Sequence, residues 1–509
     1  MKKLKKDYER CAGILLHPTS LPSKFGIGDL GKEAFEFIDY LKSEGQTIWQ
    51  VLPLNPVDFD YSPYKSPSAF AGNPMIISPE VLVTDGLLTE DDIKLPEKPF
   101  RENKIEFKRA WEFKTSLLKK AFQNFKAKLS SDENLKSDFE NFCQKESYWI
   151  EDYAMFATIK DKINAAYWVE WEDKIKKRDA ATLKKLRQDL ADDILYVEFE
   201  QYIFSLQWQK VHKYANENGI KIFGDMPIFV SEDSTDVWAN PELFQLKDNG
   251  LPEKISGSPP DEFSEVGQIW GNPQYNWDIM KAQDYKWWKL RFKKIFDFVD
   301  IVRVDHFRGF EAYWEIDGNS KSALVGKWIK GPGKDFFDAI KNEIGEEKQL
   351  VAEDLGTITY EVRNLRKECG FLGMNILQFK IQKFIEIDQL EYVAPKDTIS
   401  YTGTHDNNTV VGWFTEELND EMKIKVAGFL NAEPNSPEDV CTKVIEAAYA
   451  SESYWAIVAM QDVLKLGGSF RMAKPGTVGN NKWGWQLTAD YLSKVEHGQL
   501  KALCNKYSR

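Results

Sequence analysis

Residues 301–306 read Ile301-Val302-Arg303-Val304-Asp305-His306, a short run of strand-forming residues that closes on a carboxylate and a histidine. Side chains alternate along a strand, so Arg303 and Asp305 share one face while Val302 and Val304 occupy the other. An apolar strand with charges gathered at its C-terminal end is what a parallel barrel uses to build a site. Seven further runs of this kind, bounded by Gly, Pro, Asn or Asp, lie at 12–17, 47–54, 221–229, 350–353, 374–379, 398–404 and 454–460. Helical patterns fall between most of them, at 31–44, 285–298, 335–344 and 360–369, with a last one at 489–507. In the first, Ala34, Phe37, Ile38 and Leu41 recur at helical spacing. Eight β-then-α units predict an α/β fold, a (β/α)8 TIM barrel with right-handed crossovers.

Such a barrel needs about 250 residues, and this chain has 509. The excess predicts large, mostly helical insertions after strands 2 and 3. The first sets the expected division: barrel at 1–79, helical insertion at 80–195 and barrel again at 196–509. The second is a long active-site loop at 231–283, rich in Gly and Pro. Long loops in this fold usually carry function.

A composition of 42% hydrophobic and 29% charged residues excludes disordered and fibrous classes. With 67 Lys and Arg against 80 Asp and Glu, the net charge of −13 disfavours nucleic acid and anionic membrane surfaces as partners. No uncharged apolar run is long enough to span a bilayer. Five scattered cysteines, with no C-x-x-C pair, read as reduced thiols of a cytoplasmic protein. The oligomeric state is not legible from these features.

Gly26-Ile27-Gly28-Asp29-Leu30-Gly31 matches the dinucleotide fingerprint G-x-G-x-x-G. Pro18 and Pro22 separate it from the preceding strand, however, and no acid stands about 20 residues on for a ribose hydroxyl. A glycine loop entering a helix is the better reading, and no cofactor is expected. The acids and histidines show no compact ligand spacing, so no metal is expected either.

Three carboxylates, Asp305, Glu353 and Asp406, fall at or just beyond the ends of predicted strands. Alone, each is more often a salt bridge or a helix cap; together they predict one mouth. His306 and His405 adjoin two of them, and His17 ends the first strand. Arg303, on the face of Asp305, is expected to lower that carboxyl's pKa and keep it ionised. Facing carboxyls with polar neighbours suit glycoside chemistry: one attacks the anomeric carbon while the other, protonated, releases the leaving oxygen. In a retaining enzyme the two lie about 5–5.5 Å apart. Sugar faces pack on aromatic rings, and Tyr61, Tyr64, Trp238, Phe244, Phe263 and Trp270 follow strands 2 and 3.

From about residue 12 to 485 the chain resembles the 4-α-glucanotransferase (amylomaltase) family of the α-amylase superfamily. The resemblance rests on Leu16-His17-Pro18-Thr19-Ser20-Leu21-Pro22, Ser62-Pro63-Tyr64, Gly224-Asp225-Met226-Pro227-Ile228, Pro259-Pro260-Asp261 and Trp270-Gly271-Asn272-Pro273. It continues through Arg303-Val304-Asp305-His306-Phe307-Arg308-Gly309, Ala352-Glu353-Asp354-Leu355-Gly356 and Gly403-Thr404-His405-Asp406. It implies Asp305 as nucleophile, Glu353 as acid/base and Asp406 as holder of the donor sugar's hydroxyls. Tyr64, Asp225, Arg303 and His405 would line the same subsite, with His306 also binding substrate and Trp270 near the donor–acceptor junction. The implied activity is retaining transfer of an α-1,4-glucan segment between malto-oligosaccharides, or to glucose. The rivals are an amylase-type hydrolase and a silent glucan-binding scaffold. The chain departs from the family's pattern at Ala473, where an amide is common, and at 479–486.

Overall fold

The computed structural model describes residues 8–58, 60–163, 167–260, 265–387, 394–475, 477 and 482–509. Its centre is a parallel barrel of eight strands: β1 (Cys11–Leu15), β2 (Ile48–Gln50), β3 (Lys221–Met226), β4 (Ile301–Val304), β5 (Gln349–Ala352), β6 (Gly373–Ile376), β7 (Thr398–Tyr401) and β8 (Trp455–Ala459). Each expected run overlaps one of them; β1, β5 and β6 begin one residue earlier than expected, and all end short of the expected limit. The order is β6-β7-β8-β1-β2-β3-β4-β5. A parallel bridge between Val351 and Leu372, with the Ala352 amide donating to the Leu372 carbonyl at 2.8 Å, joins β5 to the residue before β6. The ring is thereby closed.

The strands are buried on both faces, as a barrel surrounded by helices requires. The helix Lys32–Ser43 shows how the outer ring attaches. Ala34, Phe37, Ile38 and Leu41 are fully buried, and each larger apolar side chain contributes roughly 1.5–3 kcal/mol. The glycines before this helix serve packing: a Cβ on Gly28 would lie 2.1 Å from the Pro18 carbonyl oxygen. Between β2 and β3 run the long helices Phe107–Leu129, Glu133–Lys145, Ser147–Ile163 and Ala191–Glu217. Phe122, Phe125, Phe139, Phe199 and Tyr202 pack among them. The last helix passes residue 195, leads into β3 and also packs on Lys32–Ser43.

The connection after β3 differs from the expected loop. It contains strands Lys254–Ser258 and Gln268–Pro273, which join Ala312–Asp317 and Lys327–Lys330 in a four-stranded antiparallel sheet. Gly and Pro obscure the alternation of these strands in the sequence, and their partners lie beyond β4. Glycine is needed where the strands approach, since a Cβ on Gly257 would meet the Gln268 carbonyl oxygen at 2.3 Å. The expected helix at 489–507 also differs, forming a short 3-10 turn, Tyr491–Ser493, and the helix Gln499–Tyr507.

Candidate active site

The site forms at the C-terminal mouth of the barrel. Val304 of β4 is in register with Ala352 of β5, so Asp305 and Glu353, one residue further on each strand, emerge side by side. Neighbouring strands lie about 4.8 Å apart, which is the scale of carboxyl separation in a retaining glycosidase, about 5–5.5 Å. The backbone turns immediately after Asp305, because His306 adopts the left-handed conformation at φ 48°. A histidine in that region is strained. The turn aims the His306 amide at Glu353 Oε2, 2.8 Å away, while the Leu355 amide donates to Oε1 at 2.9 Å. Both oxygens of Glu353 are therefore oriented by backbone.

Arg303 lies behind the pair. Its Nη1 reaches Asp225 Oδ1 and Oδ2 at 2.8 and 2.7 Å and Asp305 Oδ1 at 2.8 Å. The contact with Asp225 follows from register, since β3 and β4 pair these two residues. The Tyr64 hydroxyl donates to Asp225 Oδ2 at 2.7 Å, and its ring stacks on His405 at 4.9 Å. His405 Nε2 lies 3.2 Å from Asp406 Oδ2. Tyr64, Asp225, Arg303, Asp305, His405 and Asp406 thus form one continuous polar network.

Burial raises the pKa of both facing carboxyls. For Asp305, Arg303 opposes burial, but the lost hydration and the negative charge of Asp225 prevail. The expectation that Arg303 leaves this carboxyl below its usual value is corrected: Arg303 lowers it, and burial outweighs the guanidinium. Glu353 is raised further, first by burial and then by the charge of Asp305, against the pull of Arg303. Two neighbouring carboxyls so arranged favour one ionised and one protonated partner. Asp406 goes the other way: burial would raise it, yet His405, Arg303 and Arg471 together hold it below the ordinary aspartate value. Its side chain is 40% accessible from the cleft and that of Asp305 27%, although both sit deep in the mouth. Burial also pushes the Tyr64 hydroxyl well up, so it remains a donor. It pushes His306 down to about 3, leaving a neutral ring edge-on to Trp270 at 4.7 Å.

All nine sequence-predicted site residues reach this mouth. Eight of them line an open cleft of about 2210 Å³, counted with its solvent-open space, and Asp225 supports it from beneath. Of the other aromatics, Trp238 and Phe244 are buried away from the cleft, and Tyr61 stacks on Phe107 beside it at 4.3 Å. Phe263, Asp261 and the departures at Gly479, Asn480 and Asn481 lie outside the described residues. His17 lines a smaller neighbouring cavity with Tyr61 and Trp483.

Sequence reading missed Trp328, on the antiparallel sheet, and the bracing role of Arg471. The Arg471 guanidinium donates to the Asp406 carbonyl, to Glu417 at 3.1 Å and to the Ala473 carbonyl at 2.6 Å. The Ala473 amide donates to the His405 carbonyl at 3.1 Å, so the backbone at this departure steadies the Asp406 loop whatever its side chain. A charged residue 65 positions from the loop it braces carries no local signal. Among the described residues, no group of three or more His, Cys, Asp or Glu is placed to hold a metal ion. No helix among them is long and apolar enough to cross a membrane.

Comparison with known proteins agrees with this geometry. Residues 16–492 match the family described as 4-alpha-glucanotransferase. A 4-alpha-glucanotransferase of Synechocystis is 43% identical over 503 residues, covering 98% of each chain. That of Thermus thermophilus is 40% identical over 508 residues, covering 99% of this chain and 100% of its own. The structure of a Streptococcus agalactiae amylomaltase in complex with acarbose superposes with a TM-score of 0.92 at 37% identity, covering 98% of this chain and all of that one.

Proposed function

This chain belongs to the 4-alpha-glucanotransferase family, and from that premise we propose the roles its residues take in moving a glucan segment from donor to acceptor. The enzyme transfers segments of α-1,4-glucan, and the proposed donors and acceptors are malto-oligosaccharides and glucose. The observation that carries the reading is the register of β4 and β5, which sets Asp305 beside Glu353.

Asp305, ionised, attacks the anomeric carbon of the donor. Glu353, protonated, gives its proton to the departing glycosidic oxygen. The attack consumes the charge of Asp305, so the repulsion that lifts Glu353 disappears and its carboxyl becomes acidic enough to act as base. It then takes the proton from the acceptor's 4-hydroxyl, which displaces Asp305 with net retention. Asp406 and His405 hold hydroxyls of the distorted donor sugar, and Tyr64, Asp225 and Arg303 fix the nucleophile below it. His306 and Trp270 flank the bond that breaks.

The proposed division is a barrel at 1–79 and 196–509 with a helical insertion at 80–195, supported by the packing of Phe125 on Phe139 within the inserted helices. All five cysteines are free thiols, which suits a reducing compartment, and we assign the enzyme to the cytoplasm.

The test separates the two carboxyls. With maltotriose, Glu353→Ala should lose several orders of magnitude in turnover, because the leaving oxygen needs a proton. With a glycosyl fluoride, whose leaving group needs none, donor cleavage should recover much of the loss. Asp305→Ala should be silent on both donors. Equal losses on both donors in Glu353→Ala, or a folded and active Asp305→Ala, would refute the assignment.

A further inference from the structure

The four-stranded antiparallel sheet brings a tryptophan to the cleft from each of its edge strands: Trp270 on Gln268–Pro273 and Trp328 on Lys327–Lys330. Three strand spacings separate those edges, roughly 14 Å, which exceeds the width of one sugar ring. Trp270 is close to the chemistry, edge-on to His306. Trp328 stands at the opposite edge of the sheet. The Arg308 guanidinium lies over its ring at 3.7 Å, and Trp314 meets it at 5.2 Å and 64°. Arg308 itself donates to the Thr357 carbonyl, four residues after Glu353. Despite these supports Trp328 remains 39% exposed, and Ile269, on the strand of Trp270, is 40% exposed along the same cleft.

The side of the cleft follows from the chemistry. The acid protonates the oxygen that joins the donor sugar to its leaving group, so leaving and incoming sugars lie on the side of Glu353. The hydroxyl-binding groups Tyr64, His405 and Asp406 come from the loops after β2 and β7, away from that side. Trp328, tied through Arg308 to the loop carrying Glu353, stands on the leaving-group side and at a distance from the reacting bond.

We propose that Trp328 is a specificity-determining residue, a stacking platform for the second or third sugar of an acceptor glucan. This rests on Glu353 being the acid, which the fluoride experiment tests separately. Arg308 closes one face of the indole and preorganises it; the open face receives the apolar side of a glucosyl ring. A monosaccharide acceptor, bound at the reacting bond, does not reach it.

The experiment measures transfer from a saturating glycosyl fluoride donor to labelled glucose and to labelled maltotriose, comparing the parent enzyme with Trp328→Ala and Trp328→Tyr. The ratio of KM for maltotriose to KM for glucose should rise roughly tenfold in Trp328→Ala, the scale of one lost aromatic contact. Trp328→Tyr, which retains a ring, should stay near the parent. An unchanged ratio, or equal losses with both acceptors, would overturn the proposal and leave Trp328 as an anchor for its strand. As a measurement with Trp328 in place, maltotriose should protect the backbone amides of 327–330 from hydrogen exchange more than glucose does in Asp305→Asn, which does not consume it. Equal protection by the two sugars would overturn it as well.

Discussion

Replacing Arg303 with glutamine tests what keeps Asp305, the proposed nucleophile, ionised. The guanidinium lies 2.8 Å from Asp305 Oδ1 and also holds both oxygens of Asp225. Charge centres about 4 Å apart in an effective dielectric of about 20 interact by about 4 kcal/mol, or about three pKa units. Part of that is returned, because the glutamine amide and entering water solvate the Asp305 carboxylate in place of the cation. The expected net result is a rise of about one to two units in the pKa of Asp305. The nucleophile must be ionised, so the acidic limb of the kcat/KM profile should move to higher pH by that amount, and activity just above the parent's limb should fall about tenfold or more. Asp225 is almost fully buried, so losing its partner should also destabilise the fold by about 3–5 kcal/mol. Asp225→Asn combined with Arg303→Gln removes that buried charge and should recover much of the melting temperature while leaving the limb displaced. pH profiles of both variants, measured below their melting temperatures, separate the effects. An Arg303→Gln enzyme whose acidic limb coincides with the parent's would show that another group sets the charge of Asp305.

Asp305→Asn should abolish transfer and yet stabilise the protein above the ordinary aspartate pKa. Because the folded-state pKa of Asp305 is raised, ionisation costs folding free energy as pH climbs from the unfolded-state value through the folded-state value. The melting temperature of the variant should therefore gain on the parent across that window, and a gap that shrinks with rising pH would contradict the raised pKa. Trp270→Ala should raise the ratio of hydrolysis to transfer, since a sugar acceptor outcompetes water only through binding and orientation. Product analysis on maltotriose measures this, and a constant ratio at reduced total activity would remove Trp270 from acceptor capture.

The sequence by itself determined the barrel and most of its mouth. Each barrel strand is a short apolar run, a local property, and the polar residues that end these runs mark the open end without reference to any partner. Thus Asp305, Glu353, Asp406, His306 and His405 were legible one strand at a time, and family motifs added Tyr64, Asp225 and Trp270. The antiparallel sheet was not legible, because two of its strands are interrupted by Gly and Pro and the other two lie on the far side of β4 from those partners. Trp328 stayed hidden with it, and Arg471 stayed hidden because it braces backbone carbonyls rather than completing a charge pattern. The sign of the Asp305 shift could not be read from Arg303 alone, since hydration lost on burial depends on every wall of the cleft. Register decided the chemistry: strand positions in the chain place two acids at the same end of a barrel, but only the pairing of Val304 with Ala352 puts them side by side.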